Sequence, residues 1–158
     1  MTPPNCTSCT EAKQLVKPSP VRTDPIYINK DELIHIDLWG KYDITSINGH
    51  QYYLLLVDDV THYVTVYFLK GKHEAAYYVK NYLTHLHTCS THTHAIHIDC
   101  HTEFVNKDLT DWCYKKGMKI QQTVPYSPSP NSVAEWMNCT LIELAHTMIK
   151  ASQLPEFL

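Results

Sequence analysis

Glycine is scarce in this chain, with 4 in 158 residues, and the 9 prolines gather mostly in the first 30 positions and around 125–130. That usage excludes collagen-like repeats and low-complexity disorder. No apolar run approaches the roughly 18 residues that a membrane span needs, and no charged-then-apolar leader opens the chain. The compartment expected from this is the cytosol or nucleus, with no membrane partner. A basic excess is missing too, since the net charge is -3 with histidine neutral. Nucleic-acid binding would therefore have to rest on a local patch or on metal ions, not on a global field. A disulfide framework is also absent: of the six cysteines only Cys6 and Cys9 lie close together, while Cys89, Cys100, Cys113 and Cys139 are scattered and read as free thiols. What is present is a 44% hydrophobic content over the length of one ordinary domain, enough for a core.

Residues 1–30 are broken by Pro3, Pro4, Pro18, Pro20 and Pro25 and lack apolar periodicity, so they read as a linker, with the folded body over 31–158. Strands are expected over Leu33–Trp39, Gln51–Val57 and Tyr63–Leu69, joined by turns at Asn48-Gly49 and Asp58-Asp59. A helix follows over Lys72–His87, a strand over Ala95–Asp99, a helix over Lys107–Lys116 stopped by Gly117, and a strand over Met118–Val124. Pro125–Ser132 ("PYSPSPNS") must be a loop, and Val133–Ser152 a long helix with the stripe Val133, Met137, Leu141, Leu144 and Met148. The order β-β-β-α-β-α-β-α predicts an α/β domain, one mixed five-stranded sheet flanked by helices.

The tetrapeptide "IHID" occurs twice, at Ile34–Asp37 and at Ile96–Asp99. Its flanks share nothing, which excludes an internal duplication. Alternation along a strand puts Asp37 on the face of His35 and Asp99 on the face of His97, each near a strand end. A strand-end aspartate can also simply start a turn. Glu135, at the start of the last helix, fits a capping box with Ser132, S-x-x-E, in which it would serve only a backbone N–H. Spacing sets these three carboxylates apart, because 35 residues separate Asp99 from Glu135.

That gap and the words around it resemble the two-aspartate, one-glutamate catalytic core of retroviral and LTR-retrotransposon integrases, most closely the copia-like class. The resembling words are "ELIHIDLWG" (Glu32–Gly40), "YYLLLVDDVTHYVTVYFLKGKHEA" (Tyr52–Ala76), "IDCHTEF" (Ile98–Phe104), "TVPYSPSPNSVAEWMNCTLIELAHTMI" (Thr123–Ile149) and "LPEFL" (Leu154–Leu158). The resemblance implies a ribonuclease-H-like fold and a catalytic core belonging to a longer Pol polyprotein. It implies metal-dependent DNA strand transfer and endonucleolytic processing, with Asp37, Asp99 and Glu135 as the triad. Phosphoryl transfer needs charge neutralisation and in-line positioning more than covalent help, and three carboxylates suit two Mg²⁺ or Mn²⁺ ions. Element ends and target DNA would be the partners, and the full integrase a homo-oligomer. Cys6 and Cys9 resemble the end of an upstream His-His-Cys-Cys zinc module, here only a partial Zn²⁺ site because two ligands do not close a tetrahedron.

Several positions depart from the family's pattern. The second-aspartate word, usually D-N-G-G-E-F, reads Asp99-Cys100-His101-Thr102-Glu103-Phe104. The glutamate word, usually N-G-V-A-E-R, has Ser132 for its glycine and Trp136 for its arginine, and His62 and Cys139 stand where arginines are common. These changes remove cations from the DNA-facing side and leave the carboxylates intact. Lys115, Lys116 and Lys119 form the best remaining basic patch, with Tyr126 and Asn131 of the loop as further nucleic-acid contacts. His85, His87, His92, His94, His97 and His101 crowd the second "IHID", without a recognisable zinc quartet. His97 reads as a polar neighbour of Asp99. The alternative to an active enzyme is a degenerate or domesticated integrase-like domain that binds nucleic acid or other partners; a nuclease that cuts without joining is a third reading.

Overall fold

The computed structural model describes residues 27–89, 92–98, 106–122 and 132–153. Five strands, β1 (Leu33–Trp39), β2 (Tyr52–Asp58), β3 (Val64–Leu69), β4 (Ala95–Ile98) and β5 (Lys119–Gln122), form one sheet in the order β3-β2-β1-β4-β5. The first three strands are antiparallel neighbours, whereas β4 joins β1, and β5 joins β4, in parallel. The parallel joins need crossovers, and helices supply them. A 3₁₀ turn at Lys72–Glu74 leads into α1 (Ala75–Thr88) before β4, α2 (Lys107–Lys115) stands before β5, and α3 (Ser132–Ser152) comes last. The mixed sheet flanked by helices expected from the sequence is the one observed.

Alternation splits the sheet into two unlike faces. Ile34, Ile36, Leu54, Leu56, Leu69, Ile96 and Ile98 point to one side and bury against Ala76, Val79 and Leu83 of α1 and Leu109 and Cys113 of α2. Burying each such leucine or isoleucine is worth about 1.5–3 kcal/mol, so this face supplies most of the driving force. On the other side, Leu55 and Val57 pack with Val133 and Ala134 of α3, flanked by Val64, Val66, Met137 and Leu141. The apolar stripe foreseen on the last helix is only half used, because Leu144 and Met148 remain 47% and 64% exposed. Among the described residues no helix is long and apolar enough to cross a membrane.

Local polar contacts fix the turns. The Asp58 carboxylate accepts from the Asp31 amide at 2.7 Å and from the Thr61 amide at 2.7 Å, so this aspartate builds the β2–β3 turn. Glu74 accepts from the Lys70 amide at 2.7 Å, and that bond holds its carboxyl below the usual range. Asn106 caps α2 by accepting from the Leu109 amide at 2.9 Å. Gly117, with φ 73°, lets the chain leave that helix. After β1, Gly40 has φ 118°, and a Cβ there would lie 2.5 Å from the Gln51 carbonyl oxygen. Only glycine fits this start of the β1–β2 hairpin.

Candidate active site

Asp37 is the fifth residue of β1 and is partly buried. Its antiparallel partner is Leu55, whose side chain belongs to the cluster beneath α3, so Asp37 also faces α3. On the other flank Ile36 pairs with Ile98, the last described residue of β4. Asp99 is the next residue in the chain and lies outside the described residues, as do Cys6, Cys9, Tyr126 and Asn131.

Glu135 lies in the first turn of α3 with its side chain exposed. The residues just before it, Val133 and Ala134, are buried against Leu55 and Val57. Docking of α3 therefore carries Glu135 to the side of the sheet on which Asp37 stands. Ser132 is already helical, which places Glu135 one position beyond the N3 site that a Ser132 capping box requires. One turn further on, the buried Asn138 amide oxygen accepts a hydrogen bond from the Tyr53 phenol and locks the helix onto β2. Burial pushes the Tyr53 phenol well above its ordinary pKa, with the neighbouring Tyr42 and the charge of Asp37 adding to the effect. Pattern reading passed over both Tyr53 and Asn138.

His35 and Asp59 were also missed as a pair. The His35 Nε2 lies 2.8 Å from Asp59 Oδ1, and both residues are buried. The His35 and His97 rings sit 5.2 Å apart on the face of Asp37. His97 thus shares that face, as alternation predicts. The available signal was a histidine flanked by isoleucines, a polar side chain in an otherwise apolar strand.

The lysines lie elsewhere. Lys119 pairs with Ala95, and Ala95 with Leu33, so Lys119 stands at the end of the strands opposite Asp37. Lys115 and Lys116 precede it at the end of α2, all three exposed, with the Lys116 Nζ 6.0 Å from the centre of the Trp112 ring. His85, His87, His92 and His94 are exposed, and among the described residues no three His, Cys, Asp or Glu side chains converge on a metal position.

The sheet order, with three antiparallel strands followed by two parallel ones, defines a ribonuclease-H-like domain. It matches a chain of the simian T-cell lymphotropic virus intasome, solved by cryo-electron microscopy in complex with PP2A regulatory subunit B56 gamma. That match has a TM-score of 0.65 at 18% identity and covers 95% of this chain and 52% of the other. The integrase core domain family matches residues 29–128, and the chain belongs to that family. It is 28% identical over 131 residues to the retrovirus-related Pol polyprotein from transposon TNT 1-94 of Nicotiana tabacum, covering 82% of this chain and 10% of the relative. It is 26% identical over 127 residues to the corresponding polyprotein from transposon RE2 of Arabidopsis thaliana, covering 79% and 8%. The chain is thus an integrase core of the copia-like retrotransposon type and spans about a tenth of these relatives.

Proposed function

We propose that this chain is the catalytic core of an integrase that processes and joins DNA ends with divalent metal ions, through Asp37, Asp99 and Glu135. The observation that carries this is the convergence of β1 and α3: Ala134, next to Glu135, packs in the same cluster as Leu55, the cross-strand partner of Asp37. Asp37 follows Ile36 in the chain and Asp99 follows Ile98, and Ile36 pairs with Ile98.

The donor set suits Mg²⁺ or Mn²⁺. A partly buried carboxylate at a strand end and an exposed one on a helix turn offer hard oxygens with room for retained waters. When bound, two such ions would activate the attacking oxygen and stabilise the leaving one. The protein's part is to hold the carboxylates aimed. Asp37 is fixed by strand pairing, and Glu135 by the docking of α3, whose positive N-terminal end also favours an acidic side chain. Element ends and target DNA are the substrates in this proposal, and the exposed Lys115, Lys116 and Lys119 contact phosphates away from Asp37, with Tyr126 and Asn131 as further nucleic-acid contacts. Residues 1–30 act as a linker, in which Cys6 and Cys9 supply half of a Zn²⁺ site. The working form is an oligomer in the nucleus or in a cytoplasmic particle.

The test is Mg²⁺- or Mn²⁺-dependent nicking and joining of labelled element-end DNA by the chain within its polyprotein neighbours. Activity lost in Asp37→Asn, Asp99→Asn and Glu135→Gln supports the proposal. Full activity in Glu135→Gln would reject the triad. DNA binding without any metal-dependent chemistry would favour a degenerate binding domain.

A further inference from the structure

Behind the row that carries Asp37, a second polar row crosses the sheet. Asp59, just past the end of β2, contacts His35 of β1 at 2.8 Å. His35 pairs in register with His97 of β4, their rings 5.2 Å apart. His97 pairs with Gln121 of β5, whose side-chain amide donates to the Tyr27 phenol at 3.1 Å. The row thus joins four consecutive parts of the sheet and the segment that leads into β1. It stands one pleat repeat, about 7 Å, from Asp37 along β1.

Polar groups this deep are not what the core needs. His35 is 1% exposed, and a buried imidazole–carboxylate pair replaced by well-packed apolar side chains generally leaves stability unchanged or improved. The opposite face, with its isoleucines and leucines, already holds the layers together. What distinguishes the row is its place. It braces β1 against β4, the two strands whose next residues toward the carboxyl end include Asp37 and Asp99.

We propose that His35, held by Asp59 and set against His97, is a positioning residue that fixes the lateral relation of β1 to β4, and through it that of Asp37 to Asp99. This inference rests on the assignment of those carboxylates as metal ligands given above. The role is geometric: the imidazole serves as a spacer of defined size, with its Nε2 held by Asp59.

The experiment compares the full chain with His35→Phe/Asp59→Leu, which keeps bulk and removes the anchored contact, and with His35→Gln, which retains a hydrogen-bonding amide. Chemical denaturation monitors folding, and Mn²⁺ is titrated calorimetrically and by electron paramagnetic resonance. The expected result is a double variant that unfolds near the wild-type midpoint but binds Mn²⁺ about 10–100-fold more weakly, as outer-shell changes do at other metal sites. It should show isolated-ion spectra where the wild type shows a spin-coupled pair, and His35→Gln should recover most of the affinity. A folded double variant with wild-type affinity and spectrum overturns the proposal. Should the double variant not fold, His97→Phe breaks the row at a partly exposed position, and the same two readouts decide. Asp37→Asn separates the two claims. If it leaves Mn²⁺ binding unchanged, metal ligation by the carboxylates fails and the positioning role with it. If it abolishes binding while the row variants do not, only the positioning role fails.

Discussion

Replacing Tyr53 by phenylalanine tests whether α3 is locked where Glu135 needs it. The phenol donates to the Asn138 amide oxygen, and Asn138 is 1% exposed. Phenylalanine keeps the ring and leaves that oxygen buried without its donor, which costs about 1–3 kcal/mol. In a domain of this size each kcal/mol moves the melting temperature by about 2–4 °C, so a drop of roughly 2–12 °C is expected by circular dichroism. In an Asn138→Leu background the orphaned oxygen is gone, and the same change should cost far less, giving a coupling of about 1 kcal/mol in the double-mutant cycle. A pH arm follows from the raised phenol pKa. Because the folded value lies above the unfolded one, the contribution is present at neutral pH and is lost as pH rises past about 10, where the unfolded phenol ionises. Tyr53→Phe should therefore lose less stability than wild type on going into alkali. A Tyr53→Phe melting temperature within about 1 °C of wild type, or an equal cost with and without Asn138, would refute the lock.

Further outcomes are expected. Glu135→Gln, at an exposed position in α3, should change stability by less than about 0.5 kcal/mol while abolishing metal-dependent joining; a large loss of stability would show a capping role instead. Burial pushes the Cys113 thiol up to about 11, so at pH 8 maleimide should label the exposed Cys89 and Cys139 in the native protein while sparing Cys113; mass spectrometry of the labelled peptides reads this directly. The raised thiol value also means that stability should fall as pH climbs between about 9 and 11, and a Cys113→Ala variant should show a flatter alkaline profile. Charge reversal at Lys116 and Lys119 should lower DNA affinity at all sequences alike and reduce the salt slope by about 1 for each phosphate that is no longer neutralised; an unchanged slope removes them from the DNA interface.

The element order was legible because each segment carries its own period. "LIHIDLW" alternates around isoleucines and spans β1 as expected, and the helices end where Gly117 and the caps place them. That Asp37 shares a face with His35 was legible for the same reason, since alternation needs only local information. The contacts that hold the site were not. Tyr53 and Asn138 are 85 positions apart, and His35 and Asp59 24 apart, so no window of sequence contains both members of either pair with their geometry. The stripe on the last helix misled in its second half, because periodicity marks an apolar face without saying where the sheet beneath it stops. Val133, Met137 and Leu141 find partners, whereas Leu144 and Met148 do not reach the core.

The two faces of the sheet divide the work of the domain. The face under α1 and α2 is apolar across all five strands, from Leu69 of β3 to Ile120 of β5, and can secure folding without help. The opposite face is apolar under α3, at Leu55, Val57 and Val66, and again at Leu33 and Ala95, but carries polar side chains at His35, Asp37, His97 and Gln121. Among the described residues α3 packs mainly on β2 and β1, which makes a step at β1, and Asp37 stands on that step. Asp37 is partly exposed there, while its strand is paired on both sides. Most of the apolar burial lies on the other side of the sheet. The corresponding expectation is that Ile36→Ala, on the apolar face, costs about 2–5 kcal/mol, whereas Asp37→Ala, one residue away on the step, costs less than about 1 kcal/mol and removes the chemistry.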